Sequence, residues 1–399
     1  MNNDVTRGRY RADTQRRDRR PLGVAVGATV ALIAGVLSAG AANAHEPRSP
    51  STCLVKAGTT GPVVSSAGGQ ALTDALAGSE ATIYVGGICT GNFIIDRNVT
   101  VIGGLRARGS RSEEVAAILD GQGAGRVISV DSETAIVTLS RLTIRNGNGI
   151  DGGGISNGGG SLTVIRSRVS GNTAGFGGGI SSCGGGSLTV IRSRVTGNTA
   201  GFGGGISICG GGNATLTNST VSGNTATDSR GEGGGGIYNS VSTVRLIKSK
   251  VTRNSAATGG GIKNSFGTMA LIKSKVSRNS AATGGGIVNV GESGDLTLTD
   301  STVTDNTAAT VSVFLGGAVG GGGILNGVGA TVTLDGRTRI TRNTATNGGG
   351  IRNHMGTFLG TDGTLTTTDS WTGTTCGNSP DDFRAVKGNS YGGQTADSC

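Results

Sequence analysis

Short apolar runs alternate with polar residues through the middle of the chain and return about every 25 residues. Leu162-x-Val164, Leu188-x-Val190, Val244-x-Leu246, Met269-x-Leu271 and Leu296-x-Leu298 each have period two, as half-buried strands do. A Ser follows three residues later, at Ser167, Ser193, Ser249, Ser274 and Ser301. Two positions on comes Val169, Val195, Val251, Val276 or Val303. No helical period runs through these segments, so the pattern predicts two or three short strands per repeat, joined by bends.

Two markers frame the strands. Gly-Gly-Gly-Ile recurs with its Ile at 155, 180, 206, 237, 262, 287, 324 and 351. An Asn, usually followed by Thr/Ser-Ala, falls at Asn172, Asn198, Asn224, Asn254, Asn279, Asn306 and Asn343. The spacing between the markers is eight residues except where insertions near Thr227–Glu232 and Thr310–Gly320 intervene. Insertions confined to one point of a repeat mark a loop on one side of a stack. A unit this short cannot bury its apolar edge alone, but stacked rungs about 4.8 Å apart can. The pattern predicts an all-β right-handed parallel β-helix over residues 81–355. Glycines make the bends, Ile fills the core, and the Asn column forms a hydrogen-bonded ladder.

The Gly-Gly-Gly-Ile and Gly-Asn-Thr-Ala motifs resemble the repeats of polymorphic outer membrane proteins and of secreted bacterial β-helix proteins. The whole pattern is similar to right-handed β-helices of the pectate-lyase-like superfamily. The resemblance covers roughly residues 80–355. It implies the fold and no single activity, because that fold carries lyases, hydrolases and adhesins alike.

An open stack needs covered ends. Residues 45–80 are expected to form an N-terminal cap with a short helix at Gln70–Ala77, and residues 356–399 a C-terminal cap holding Trp371. Residues 1–44 look like a leader. Arg16, Arg17, Arg19 and Arg20 precede an apolar stretch, and Ala42-Asn43-Ala44 offers a cleavage site before His45. The expectation is a cleaved signal peptide and a secreted or cell-surface protein. A retained anchor is the alternative, since Leu22 to Ala42 is uncharged, and the export route stays open.

Six cysteines in an exported chain favour disulfides. Cys183 and Cys209 each lie three residues after their repeat's Ile, so the repeat phase stacks them in adjacent rungs. Cys53 with Cys89 and Cys376 with Cys399 then tie the two caps. Composition sharpens the fold class. Gly reaches 78 residues and aromatics only 3%, which excludes an ordinary aromatic-rich core. Hydrophobic residues at 34% are too many and too patterned for a flexible linker. Net charge is +10, of which about +6 remains without the leader.

No catalytic set is legible. The Gly-His-Gly and Arg-Ile-Lys motifs of polygalacturonases are absent, and His354 has no such context. Candidate acids Asp120, Asp151, Asp228, Asp300, Asp305 and Asp335 are scattered, and Asp381-Asp382 fall in the cap. Gly147–Gly154 matches a Ca²⁺-binding nonapeptide only once. No cofactor or metal is expected.

The distinctive feature is a basic column. The positions flanking the repeat Ser read Arg166/Arg168, Arg192/Arg194, Lys248/Lys250 and Lys273/Lys275, with Arg253, Arg278 and Arg342 just before the Asn. The column is interrupted at Asn218/Thr220 and reversed at Asp300. It predicts a strip for an anionic polysaccharide or wall polymer. Nucleic acid fits less well, because stacking aromatics are nearly absent from the strip. The expected function is a monomeric, non-catalytic, adhesin-like binding or structural protein. The alternative is a Ca²⁺-dependent polysaccharide lyase or glycoside hydrolase, with a divergent cleft under the loops at 226–233 and 308–320.

Overall fold

The computed structural model describes residues 52–106, 114–228, 233–309, 320–327, 329–353, 364–367, 374–376, 378 and 383–385. The leader, His354, Trp371, Asp381, Asp382 and Cys399 lie outside the described residues, as do positions 229–232 and 310–319 of the two insertions.

One rung shows how the repeat folds. Its strands are Ser161–Ile165, Arg168–Ser170, Thr173–Phe176 and Ile180–Cys183. Left-handed residues make the bends between them: Arg166 (φ 48°), Gly171 (φ 67°) and Gly177 (φ 61°). Gly179 is required for another reason. A Cβ there would lie 2.7 Å from the Gly205 carbonyl oxygen of the next rung. Each strand pairs in parallel with its equivalent, in unbroken register: Leu162 with Leu188, Val169 with Val195, Ala174 with Ala200, and Ile180 with Ile206. The result is a parallel β-solenoid. The Ile strands form an 11-stranded sheet, the Thr-Ala strands one of 8, and the long and Arg/Lys-Val strands join in one of 23.

The main core is one continuous cluster of mostly aliphatic side chains stacked in columns. Ile155, Ile180, Ile206, Ile237, Ile262, Ile287 and Ile324 are all fully buried, as are Val164, Val190, Leu216, Leu271, Leu298 and Leu334. Each contributes about 1.5–3 kcal/mol of burial. This is how a chain with few aromatics obtains a core.

Polar columns occupy the bends. Asn198 Nδ2 donates to Asn224 Oδ1 at 3.0 Å and to the Val169 carbonyl at 3.1 Å, while the Asn198 backbone N–H donates to the same Oδ1 at 3.0 Å. The ladder runs from Asn172 through Asn343 to Asn378, every rung on the same plan. The Ser column does parallel work: the Ser193 N–H donates to Ser219 Oγ, and Ser193 Oγ donates to the Val164 carbonyl. Thr338 closes it.

A second Asn column was not anticipated. It stands two residues after the repeat Ile, at Asn239, Asn264, Asn289, Asn326 and Asn353, each Nδ2 donating to the next Oδ1 at 2.7–2.9 Å. Asn157 belongs to the same column, but Ser182 and Ile208 interrupt it. The first Asn of each run is left short of a donor. Asn157 Oδ1 and Asn239 Oδ1 are buried without a partner. Each opens a run behind an apolar residue, Val130 or Ile208, that has no amide to donate.

At the N-terminal end the expected helix, Gln70–Ala77, packs Ala71, Leu72 and Leu76 into the core beside Phe93 and Ile95. It has no basic residue in its last turn, and Arg97 supplies the missing cation. The Arg97 guanidinium donates to the carbonyls of Ala75 (3.1 Å), Leu76 (2.9 Å) and Glu80 (3.0 Å). An antiparallel pair, Thr52–Ala57 with Val63–Ala67, flanks the first long strand, Thr82–Thr90.

Among the described residues there are two disulfides, both as paired from sequence. Cys53–Cys89 ties the antiparallel edge to the first rung, with Cα atoms 4.5 Å apart. Cys183–Cys209 joins adjacent rungs inside the solenoid, also at 4.5 Å. Cys183–Cys209 sits in mid-stack, so the disulfides are not simply terminal caps. The pairing of Cys376 with Cys399 falls outside the described residues. Strands Thr364–Thr367, Thr374–Cys376 and Phe383–Ala385 continue the parallel pairing, so the columns run on into the segment expected as a C-terminal cap.

Candidate functional site

The bend between the long strand and the Arg/Lys-Val strand builds the candidate site. The residue before each Ser adopts a left-handed conformation: Arg141, Arg166, Arg192, Asn218, Lys248, Lys273 and Asp300 have φ between 48° and 56°. The Ser or its equivalent turns inward, so its two neighbours point out. Arg166, Arg168, Arg192, Arg194, Lys248, Lys250, Lys273 and Lys275 are all exposed. The register stacks them rung on rung: Arg168 pairs with Arg194, and Lys250 with Lys275, with Thr220 between the two sets. Arg253, Arg278 and Arg342 repeat the left-handed geometry before the Asn, and Arg245 adds an exposed cation on its long strand.

None of the eight strip residues forms an ion pair among the described residues, where the salt bridges are Arg141–Glu114, Arg145–Asp120 and Arg342–Asp305. Stacking them is unfavourable. Two like charges about 5 Å apart repel by about 0.8 kcal/mol in water. Left-handed backbone suits Gly, Asn and Asp better than Arg or Lys. Both penalties are avoidable, as Asn218 and Thr220 show within the same column.

The arginine end of the strip is concave. A groove of about 500 Å³ is lined by Arg141, Arg166, Arg168, Arg192 and Arg194, with Thr143 and Ser167 on its floor and Glu114 at its head. Four of these five arginines belong to the basic column legible in the sequence. Arg141 was missed because Leu142, not Ser, follows it. Its strand still aligns with the next rung, Leu139 opposite Val164 and Ser140 opposite Ile165. Carrying the repeat back one rung would have found it.

Of the candidate acids, Asp120, Asp300, Asp305 and Asp335 serve the backbone and nearby cations. Burial would raise the Asp120 carboxyl, but hydrogen bonds from the Gln122 N–H, Asn146 and Arg145 outweigh it and hold it below the ordinary range. The Arg342 hydrogen bond holds Asp305 low, and nearby Lys275 adds to the effect. Asp300 Oδ1 accepts from the Arg337 N–H at 3.0 Å, and Asp335 accepts from the Gly336 N–H at 2.8 Å. No group of three His, Cys, Asp or Glu placed to hold a metal occurs among the described residues. No family model, curated protein or solved structure matched the chain.

What the arrangement can do is bind anions in series. Guanidinium groups are planar forks suited to carboxylate, sulfate and phosphate. Repetition on adjacent rungs, Arg168 with Arg194 and Lys250 with Lys275, sets them about 4.8 Å apart along the strip.

Proposed function

We propose that this chain is a secreted or cell-surface β-solenoid that binds an anionic polysaccharide or wall polymer along its basic strip, without catalysis. The observation that carries the reading is the groove: five arginines converge there, four of them without a carboxylate partner among the described residues. A fold that tolerates Asn218 and Thr220 in these columns has no structural need of Arg or Lys there, so the charge is explained by a ligand. The two disulfides suit an oxidising, extracellular setting. The Gly-Gly-Gly-Ile resemblance to polymorphic outer membrane protein repeats and pectate-lyase-like β-helices supports the same placement at or beyond the cell surface.

The test copies the protein's own neutral rung. The variant Arg166→Asn, Arg168→Thr, Arg192→Asn, Arg194→Thr converts two rungs to the Asn218/Thr220 pattern. It should fold normally and elute from immobilised alginate at clearly lower salt than the wild type. Unchanged elution would leave the strip a solvated face and refute the reading.

A further inference from the structure

The groove already contains an anion. A small antiparallel pair, Leu105–Arg106 with Glu114–Val115, carries Glu114 to its head. Glu114 fits because Gly104 has no side chain. A Cβ on Gly104 would lie 2.6 Å from the Glu114 carboxyl carbon, and the backbone there is left-handed at φ +96°. Arg141 Nη1 donates to Glu114 Oε1 at 2.9 Å, and the side chains are 45% and 49% exposed. Gly104, Glu114 and Arg141 also line a second cavity, of about 400 Å³, whose other walls are Lys56, Thr59, Tyr84 and Leu105. The ion pair therefore lies on the wall that the two cavities share.

We propose that Glu114 is a displaceable internal anion: it occupies on Arg141 the place of a ligand carboxylate, and its departure joins the two cavities into one groove ending at Lys56 and Tyr84. The inference rests on the strip being a polyanion site. An ion pair this exposed is weak, so a polymer already held at Arg166 and Arg192 displaces it at high effective concentration. A lone small anion has no such advantage. Past this shared wall, Lys56 offers another cation and Tyr84 an aromatic ring for a sugar face. The ligand class is a carboxylated polysaccharide, and Glu114 sets a threshold favouring long chains over short ones.

Calorimetric titration with alginate oligomers tests this on four full-length proteins. Glu114→Gln should bind about three- to fivefold more tightly than wild type. Gly104→Ala keeps the charge but evicts the side chain, and should tighten binding comparably. Asp295→Asn makes the same charge change further along the long-strand sheet and should leave affinity nearly unchanged. Tightening in Glu114→Gln no greater than in Asp295→Asn overturns displacement while the strip reading stands. So does tightening confined to Glu114→Gln when Gly104→Ala folds normally by circular dichroism. If Gly104→Ala fails to fold, the comparison of Glu114→Gln with Asp295→Asn decides. Absence of binding by all four proteins overturns the strip reading and the displacement with it.

Discussion

The two ends of the basic strip share a backbone and differ in charge. At one end Arg166 and Arg192 stand at the left-handed position before the repeat Ser, in a groove with no carboxylate but Glu114. At the other end Asp300 takes that position with the same φ of 48°. The reason is local. The next rung carries an extra residue, Gly336, in its bend, and the Asp300 carboxylate caps the Arg337 N–H that this wider turn leaves over. Arg342 then pairs with Asp305. The cations at this end are mixed with acids that serve the fold, whereas Arg166, Arg168, Arg192 and Arg194 at the groove have no carboxylate partner among the described residues. The bends dictate backbone and inward residue, and leave the outward charge unconstrained.

The largest effects should fall on the inward columns and should not differ between the ends. Asn198→Ala near the groove and Asn306→Ala near Asp300 each strand two donors and a carbonyl. Each should cost about 2–4 kcal/mol in denaturant unfolding. A large difference between them would mean that the two ends are not built alike.

Next comes charge. Arg166→Asp with Arg192→Asp should weaken alginate binding about tenfold or more, while Arg337→Asp with Arg339→Asp should change it little. Equal losses would erase the distinction between the ends. A smaller effect separates stability from binding. Arg192→Asn places a residue that favours left-handed backbone and removes repulsion from Arg166, so it should stabilise by about 0.5–1 kcal/mol while weakening binding. Loss of both together would instead assign Arg192 a structural role.

The smallest effect is on pH. Asp305 and Asp120 both titrate below their ordinary value. A depressed carboxyl adds stability above its unfolded pKa and loses it as pH falls through the folded one, so the loss begins below about pH 4. Asp120, buried under three hydrogen-bond donors, should account for more of this than the exposed Arg342–Asp305 pair. Melting temperatures of Asp120→Asn and Asp305→Asn from pH 2.5 to 6 would rank them.

Much of the fold is legible because the repeat imposes register. The eight-residue step from Asn to Ile, the Leu-x-Val alternation and the phase of Cys183 and Cys209 all follow from one residue per rung at each height. The second Asn column was equally open to view, as Gly-Gly-Gly-Ile-x-Asn, but the interruptions at Ser182 and Ile208 hid its period. What the repeat could not disclose comes from outside it. Arg97 reaches the helix carbonyls from a bend of irregular length, and Glu114 arrives on a hairpin with no counterpart in later rungs. The left-handed bends at Arg and Lys were also invisible, because propensity places Gly or Asn there. The basic column could be read, but its concavity could not, since Arg141 and Glu114 complete the groove.

We propose that an anionic polymer lies on the arginine end of the strip. Arginine modification with phenylglyoxal, read by peptide mass spectrometry with and without alginate, tests it most directly. The expected result is protection of Arg166, Arg168, Arg192 and Arg194, with Arg337, Arg339 and Arg342 modified as before. Protection spread evenly over both ends, or absent from the groove, would contradict it.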